Sequence, residues 1–103
     1  MSKVDRLTLK SLRTSYRHHA DPVHILYENG DVQAAARGIL SFDIEMLDEE
    51  GNILFRGDSI RILKSELDSK LEHGCEITFE GEAYLVGTLL KDNKFESVFE
   101  IVK

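Results

Sequence analysis

The residues with the richest chemistry stand close together. His18, His19, Asp21 and His24 place three imidazoles and a carboxylate within seven residues, a donor set that a transition metal accepts. Their order argues for another role. Adjacent histidines at a helix end point in different directions, and the dipole favours histidine at a helix C-terminus, so the segment reads as a helix-to-strand connector. Cys75 lies between Gly74 and Glu76 at the start of an apolar run. With no local cation to stabilise a thiolate, it reads as a small buried hydrophobe. Arg56-Gly57-Asp58 matches the tripeptide read by adhesion receptors and is expected to be a turn. The chain holds no Gly-rich phosphate loop, no nucleophile elbow and no zinc-type Cys/His set. Neither an enzyme nor a cofactor or metal site is expected.

The remaining distinctive residues are charged, and they are distributed unevenly. Met1 to Arg17 carries five basic residues against Asp5 alone, a net +4, while the rest of the chain carries −10. Lys3, Arg6, Lys10, Arg13 and Arg17 follow spacings of 3, 4, 3 and 4, which puts them on one face of a helix. Leu9, Leu12 and Tyr16 fall on a different face. Ser2 with Asp5 resembles a capping box, and Asp5 suits the positive end of the helix dipole. The helix should end before Asp21-Pro22. A charged helix face most simply meets water. Its sharper use is docking of an acidic protein partner, with Arg6, Lys10, Arg13 and Arg17 as candidate contacts. The second candidate surface is the acidic run Asp48-Glu49-Glu50 before Gly51-Asn52, where the chain turns back on itself.

After the helix the hydrophobic period changes from 3.6 to 2. Val23, Ile25 and Tyr27 alternate with His24, Leu26 and Glu28. Asn29-Gly30 then predicts a two-residue type I′ hairpin turn, with Val32 starting the return strand towards Phe42. Ala34, Ala35, Ala36 and Gly38 suggest a bend where the sheet curls. Phe42, Ile44 and Met46 alternate with Asp43 and Glu45 up to the acidic tip, and Ile53 to Phe55 lead back, so this segment reads as a protruding hairpin or long loop. Ser59 to Lys64 is predicted to be a strand, and Ser65 to cap a short helix carrying Leu67 and Leu71 and ending at Gly74. Cys75 to Phe79, Ala83 to Leu90 and Phe95 to Val102 read as three antiparallel strands. The expected fold is mainly β, a small antiparallel barrel (residues 21–103) with an N-terminal helix (residues 1–20) and a short helix before the last three strands.

Composition sets outer bounds. The 103 residues are 42% hydrophobic and 31% charged, with one Pro and no Trp, which fits one domain with a single modest core. The net charge of −6 disfavours a general nucleic-acid binder. A lone cysteine cannot close an internal disulfide, and neither a signal-like nor a membrane-spanning apolar run is present. A cytoplasmic protein is expected.

The run Gly74-Cys75-Glu76-Ile77-Thr78-Phe79-Glu80-Gly81-Glu82-Ala83-Tyr84-Leu85-Val86 resembles the G-D-x-I-x-I-x-G-x-x-Y-x-V pattern of head-tail joining proteins of long-tailed bacteriophages, also called head-completion, attachment or stopper proteins. Ile60 to Lys64 with Ser65-Glu66-Leu67 is similar to the strand and short helix that precede that hairpin in the family. Cys75 stands where the family usually has Asp, with Glu76 one place later. The resemblance implies a small barrel that adds as a homo-oligomeric ring below the portal or connector protein, extends the DNA channel and offers the surface to which a tail protein docks. It implies host cytoplasm during assembly and the virion neck thereafter. The residues alone admit an alternative, a small non-phage regulatory barrel that binds one acidic protein through its basic helix.

Overall fold

The computed structural model describes residues 2–103. Ser2 opens helix α1 (Lys3–His19) by accepting a hydrogen bond from the Asp5 amide at 3.0 Å. Ala20, in extended conformation, closes it by donating its amide to the Tyr16 carbonyl. Pro22 follows at once, in the strand where the chain has to stop being helical.

Six strands then form a sheet that holds 54% of the described residues: β1 (Asp21–Leu26), β2 (Val32–Leu47), β3 (Ile53–Leu63), β4 (Glu76–Phe79), β5 (Glu82–Asp92) and β6 (Glu96–Val102). All neighbours are antiparallel, and the sheet closes in the order β1-β2-β3-β6-β5-β4. The expected mainly-β closed architecture with an N-terminal helix is the one observed. Alternation fills the interior: Val23, Ile25, Ile60, Ile62, Ile77, Val86 and Ile101 are all buried in one core. Ala35, at φ +60°, belongs to the stretch where the β1–β2 register shifts. Gly38 lets β3 approach, since a Cβ there would lie 2.7 Å from Ile60 Cδ1. The small residues of β2 thus do mark a bend and a close approach.

Three local expectations are corrected. The β1–β2 connection is a three-residue loop: Gly30 donates to the Tyr27 carbonyl, and the Tyr27 amide donates to Asp31. Asn29 keeps an ordinary negative φ because its side chain accepts the Asp31 amide, leaving Gly30 alone at φ +93°. The short helix before the last three strands shrinks to one 3-10 turn, Lys64–Glu66, whose start has no side-chain cap. Its continuation is bound elsewhere. Gln33 accepts the Asp68 amide and donates to the Glu66 carbonyl, while the Tyr27 hydroxyl accepts the Ser69 amide. These bonds hold the 67–74 segment against the barrel, with Leu71 buried in the core. Finally, Arg56-Gly57-Asp58 is no turn but part of β3, where Asp58 accepts the Asp43 amide across the β2–β3 pair.

The turn joining β4 and β5 has the expected place. Glu80 at φ +49° and Gly81 at φ +81° both adopt left-handed geometry between the paired Phe79 and Glu82, the two-residue hairpin with the twist that strands favour.

Candidate assembly surfaces

Helix α1 lies on the outside of the barrel and is held along one stripe. Asp5, Leu9 and Leu12 are half-buried and Tyr16 is buried, a spacing that keeps them on one face. The Tyr16 hydroxyl donates to Glu96 Oε2 at 2.7 Å, and Arg61 Nε lies 3.8 Å from the same oxygen. Burial, and then the neighbouring Glu96, push the Tyr16 phenol far above its ordinary range. At the other end Lys94, in the β5–β6 turn, pairs with Asp5, and that hydrogen bond holds the Asp5 carboxyl below its usual range. Leu63 pairs with Glu96 and Val98 with exposed Arg61, so both face outward, yet both are buried and belong to no part of the central core.

The predicted basic face is thereby left outward. Lys3, Arg6, Lys10, Arg13 and Arg17 are all exposed, and among the described residues none of them makes an ion pair. Val4 and Leu7 are exposed beside them, at 72% and 59%.

The second surface is a β-arm. Strand β2 pairs with β1 only as far as Gly38, and β3 pairs with β6 only from Asp58 onward. From Ile44 opposite Gly57 to Leu47 opposite Ile53, the two strands have only each other. The hairpin expected from the alternation is therefore a two-stranded ribbon. Its tip is built on Asp48, whose carboxylate accepts the Glu50 amide at 2.9 Å and the Asn52 amide at 2.8 Å. The Asn52 amide is the main reason the Asp48 carboxyl is held below its ordinary range. Asp48 shapes the turn, while Glu49 and Glu50 are exposed and, among the described residues, make no ion pair. Ile44, Met46 and Phe55 form the half-buried face; Leu47, Ile53 and Leu54 are 54%, 57% and 69% exposed on the arm.

Sequence reasoning missed these apolar residues, although signals existed. Ile53-Leu54 breaks strand alternation, so one of the pair had to point outward, and the shift between Met46 and Leu47 accommodates it. Val4 and Leu7 likewise stand off the Leu9–Leu12–Tyr16 stripe.

The other candidates separate. His18 and His19 end α1 and His24 faces outward from β1; all are exposed, and among the described residues no three His, Cys, Asp or Glu side chains are grouped to hold a metal ion. Cys75 is buried in the barrel core. A concavity of about 670 Å³ lies between the 67–74 segment and strands β5 and β6, with Leu67, Leu71, Leu89 and Phe99 on its walls. At its rim Lys64 pairs with Asp92 at 2.8 Å, and Ser97 donates to the same carboxylate; these bonds hold the Asp92 carboxyl below its usual range. Among the described residues, no helix is long and apolar enough to cross a membrane.

No protein-family model matches the chain, and no curated protein matches it.

Proposed function

We propose that this chain is a structural component of a long-tailed bacteriophage or prophage, a head-tail joining protein that assembles as a ring below the portal, extends the DNA channel and presents the surface for tail attachment. The observation that carries this reading is the presence of two exposed, oppositely charged surfaces on one subunit, a basic helix and an acidic β-arm, set on a closed barrel. A subunit with unlike surfaces makes heterologous contacts, and such contacts generate rings when their rotation closes. The order of elements supports it too: an N-terminal helix, a first hairpin, a long central excursion and a closing three-strand meander are similar to the order in that family. An acidic body also suits a conduit, because it repels passing DNA instead of gripping it.

The barrel interior is packed with side chains, so any channel belongs to the ring and not to the single barrel. The experiment is in-vitro complementation of phage heads that lack this protein, scored as infectious particles. Restored infectivity with the wild-type chain is the expected result. A folded, stable chain that restores none would overturn the reading and favour the alternative of a small barrel that binds an acidic protein through α1.

A further inference from the structure

We infer that the first two turns of α1 in one copy dock on the β-arm of a second copy of this chain. This contact rests on the ring reading above and names its surfaces. Each side has the same two-part composition. On α1, Val4 and Leu7 stand exposed one helical turn apart among Lys3, Arg6 and Lys10. On the arm, Leu47 faces Ile53 across the ribbon, Leu54 follows, and Glu49 and Glu50 project from the tip beside them. An apolar pair flanked on one side by cations thus has its counterpart in an apolar trio beside carboxylates, which gives both contact area and charge complementarity.

The chain's own packing does not use either face. The helix spends Leu9, Leu12 and Tyr16 on the barrel, and the arm's half-buried face is Ile44, Met46 and Phe55. The arm also has the shape for reaching a neighbour, because it extends past the last pairing with β1 and β6. Since the two surfaces differ, each copy donates an arm on one side and receives one on the other. Two apolar side chains against three make a small patch beside the roughly 20 to 30 residues per partner of a stable interface. The contact therefore forms at high local concentration, as when subunits are laid side by side on a template.

The test uses two full-length single variants, Leu7→Cys and Ile53→Cys, mixed at high concentration, oxidised and run on a non-reducing gel; native Cys75 is buried and stays in place. A mixed disulfide is expected, with little product from either variant alone and a yield that falls as salt rises. Adding Glu49→Lys and Glu50→Lys to the Ile53→Cys chain should abolish it. Reversing Lys3, Arg6 and Lys10 to Glu on the Leu7→Cys chain should then bring it back, with thermal melts verifying that each variant is folded. Self-linked Leu7→Cys as the main product, no mixed disulfide at the highest soluble concentration, or a yield indifferent to charge reversal overturns the contact. Head complementation by the wild-type chain is read separately. Infectivity without the mixed disulfide overturns the contact alone, and the mixed disulfide without infectivity supports the contact while overturning the phage function.

Discussion

Tyr16→Phe removes one oxygen from the one buried side chain of α1 among the described residues. In the wild type that oxygen donates to Glu96 Oε2 at 2.7 Å, and the Glu96 side chain is only 16% exposed. A hydrogen bond to a charged group contributes about 1.5–3 kcal/mol net. Part of this survives the substitution, because Arg61 lies 3.8 Å from the same Glu96 oxygen and stays there. The expected loss is about 1–2 kcal/mol, which for a domain of this size lowers Tm by roughly 5–15 °C. Tyr16→Ala takes away the ring as well, a change that costs about 3–5 kcal/mol in a rigid core. Here the loss is capped by the free energy of docking the helix, since the barrel core excludes Tyr16 and can remain closed when α1 lets go. Urea denaturation followed by circular dichroism gives the global value, and amide hydrogen exchange separates helix from barrel. Faster exchange confined to residues of α1 in Tyr16→Ala is the expected pattern. A Tyr16→Phe chain that melts with the wild type, or a Tyr16→Ala chain whose helix amides stay as protected as before, would refute the anchoring argument.

Acid should destabilise the fold in a particular window. Asp5, Asp48 and Asp92 have carboxyls held below their ordinary values by Lys94, by the Asn52 amide and by Lys64 respectively. Their unfolded counterparts, near pKa 3.9, bind protons first as pH falls, so this stabilisation is complete above about pH 5 and disappears as pH drops through the lower folded values. Tm measured from pH 7 to 3 should be level and then fall, and Asp92→Asn should lower it at pH 7 while flattening the acid limb. At the β4–β5 turn, Gly81→Val should cost about 1–3 kcal/mol in thermal or urea unfolding, because a β-branched residue resists φ +81°. Glu80→Asn, which suits left-handed geometry, should instead raise Tm by a few degrees. Arg13→Glu with Arg17→Glu should cost no more than about 1 kcal/mol, because both side chains are exposed and Arg17 alone lies in the last helical turn, yet block head complementation if α1 is an assembly surface.

Where the sequence carried a strong period, it described the molecule well. The 3, 4, 3, 4 spacing of cations and the Leu9, Leu12, Tyr16 stripe separate the outward and inward faces of α1 as observed. Alternation placed strands where β1, β2, β4, β5 and β6 run but split β3 at Arg56-Gly57-Asp58, and Pro22 located the end of the helix. Signals that depend on distant partners were not legible. Ser65 has the chemistry of a cap, but the backbone groups after it are claimed by Gln33 and Tyr27, thirty or more residues earlier in the chain. Asn29-Gly30 has the composition of a tighter turn, and only the Asn29 side-chain bond to Asp31 selects the longer one. The candidate surfaces divide in the same way. Charge alone pointed to both, whereas the exposed Val4, Leu7, Leu47, Ile53 and Leu54 emerge only once the tertiary structure shows which apolar residues the core leaves out.

Closure of the sheet also governs the order in which the chain can fold. The seam that completes the ring joins β1 to β4 through three residue pairs, His24 with Thr78, Ile25 with Ile77 and Leu26 with Glu76, between segments separated by half the sequence. Strands β1, β2 and β3 adjoin one another along the chain and can zip early at small loop-closure cost. Until β4, β5 and β6 are synthesised, that three-stranded sheet has no opposite wall for Val23, Ile25, Ile60 and Ile62. Pairing of β1 with β4 is therefore expected to come after the local pairing of β1, β2 and β3, because it needs the longer loop closed.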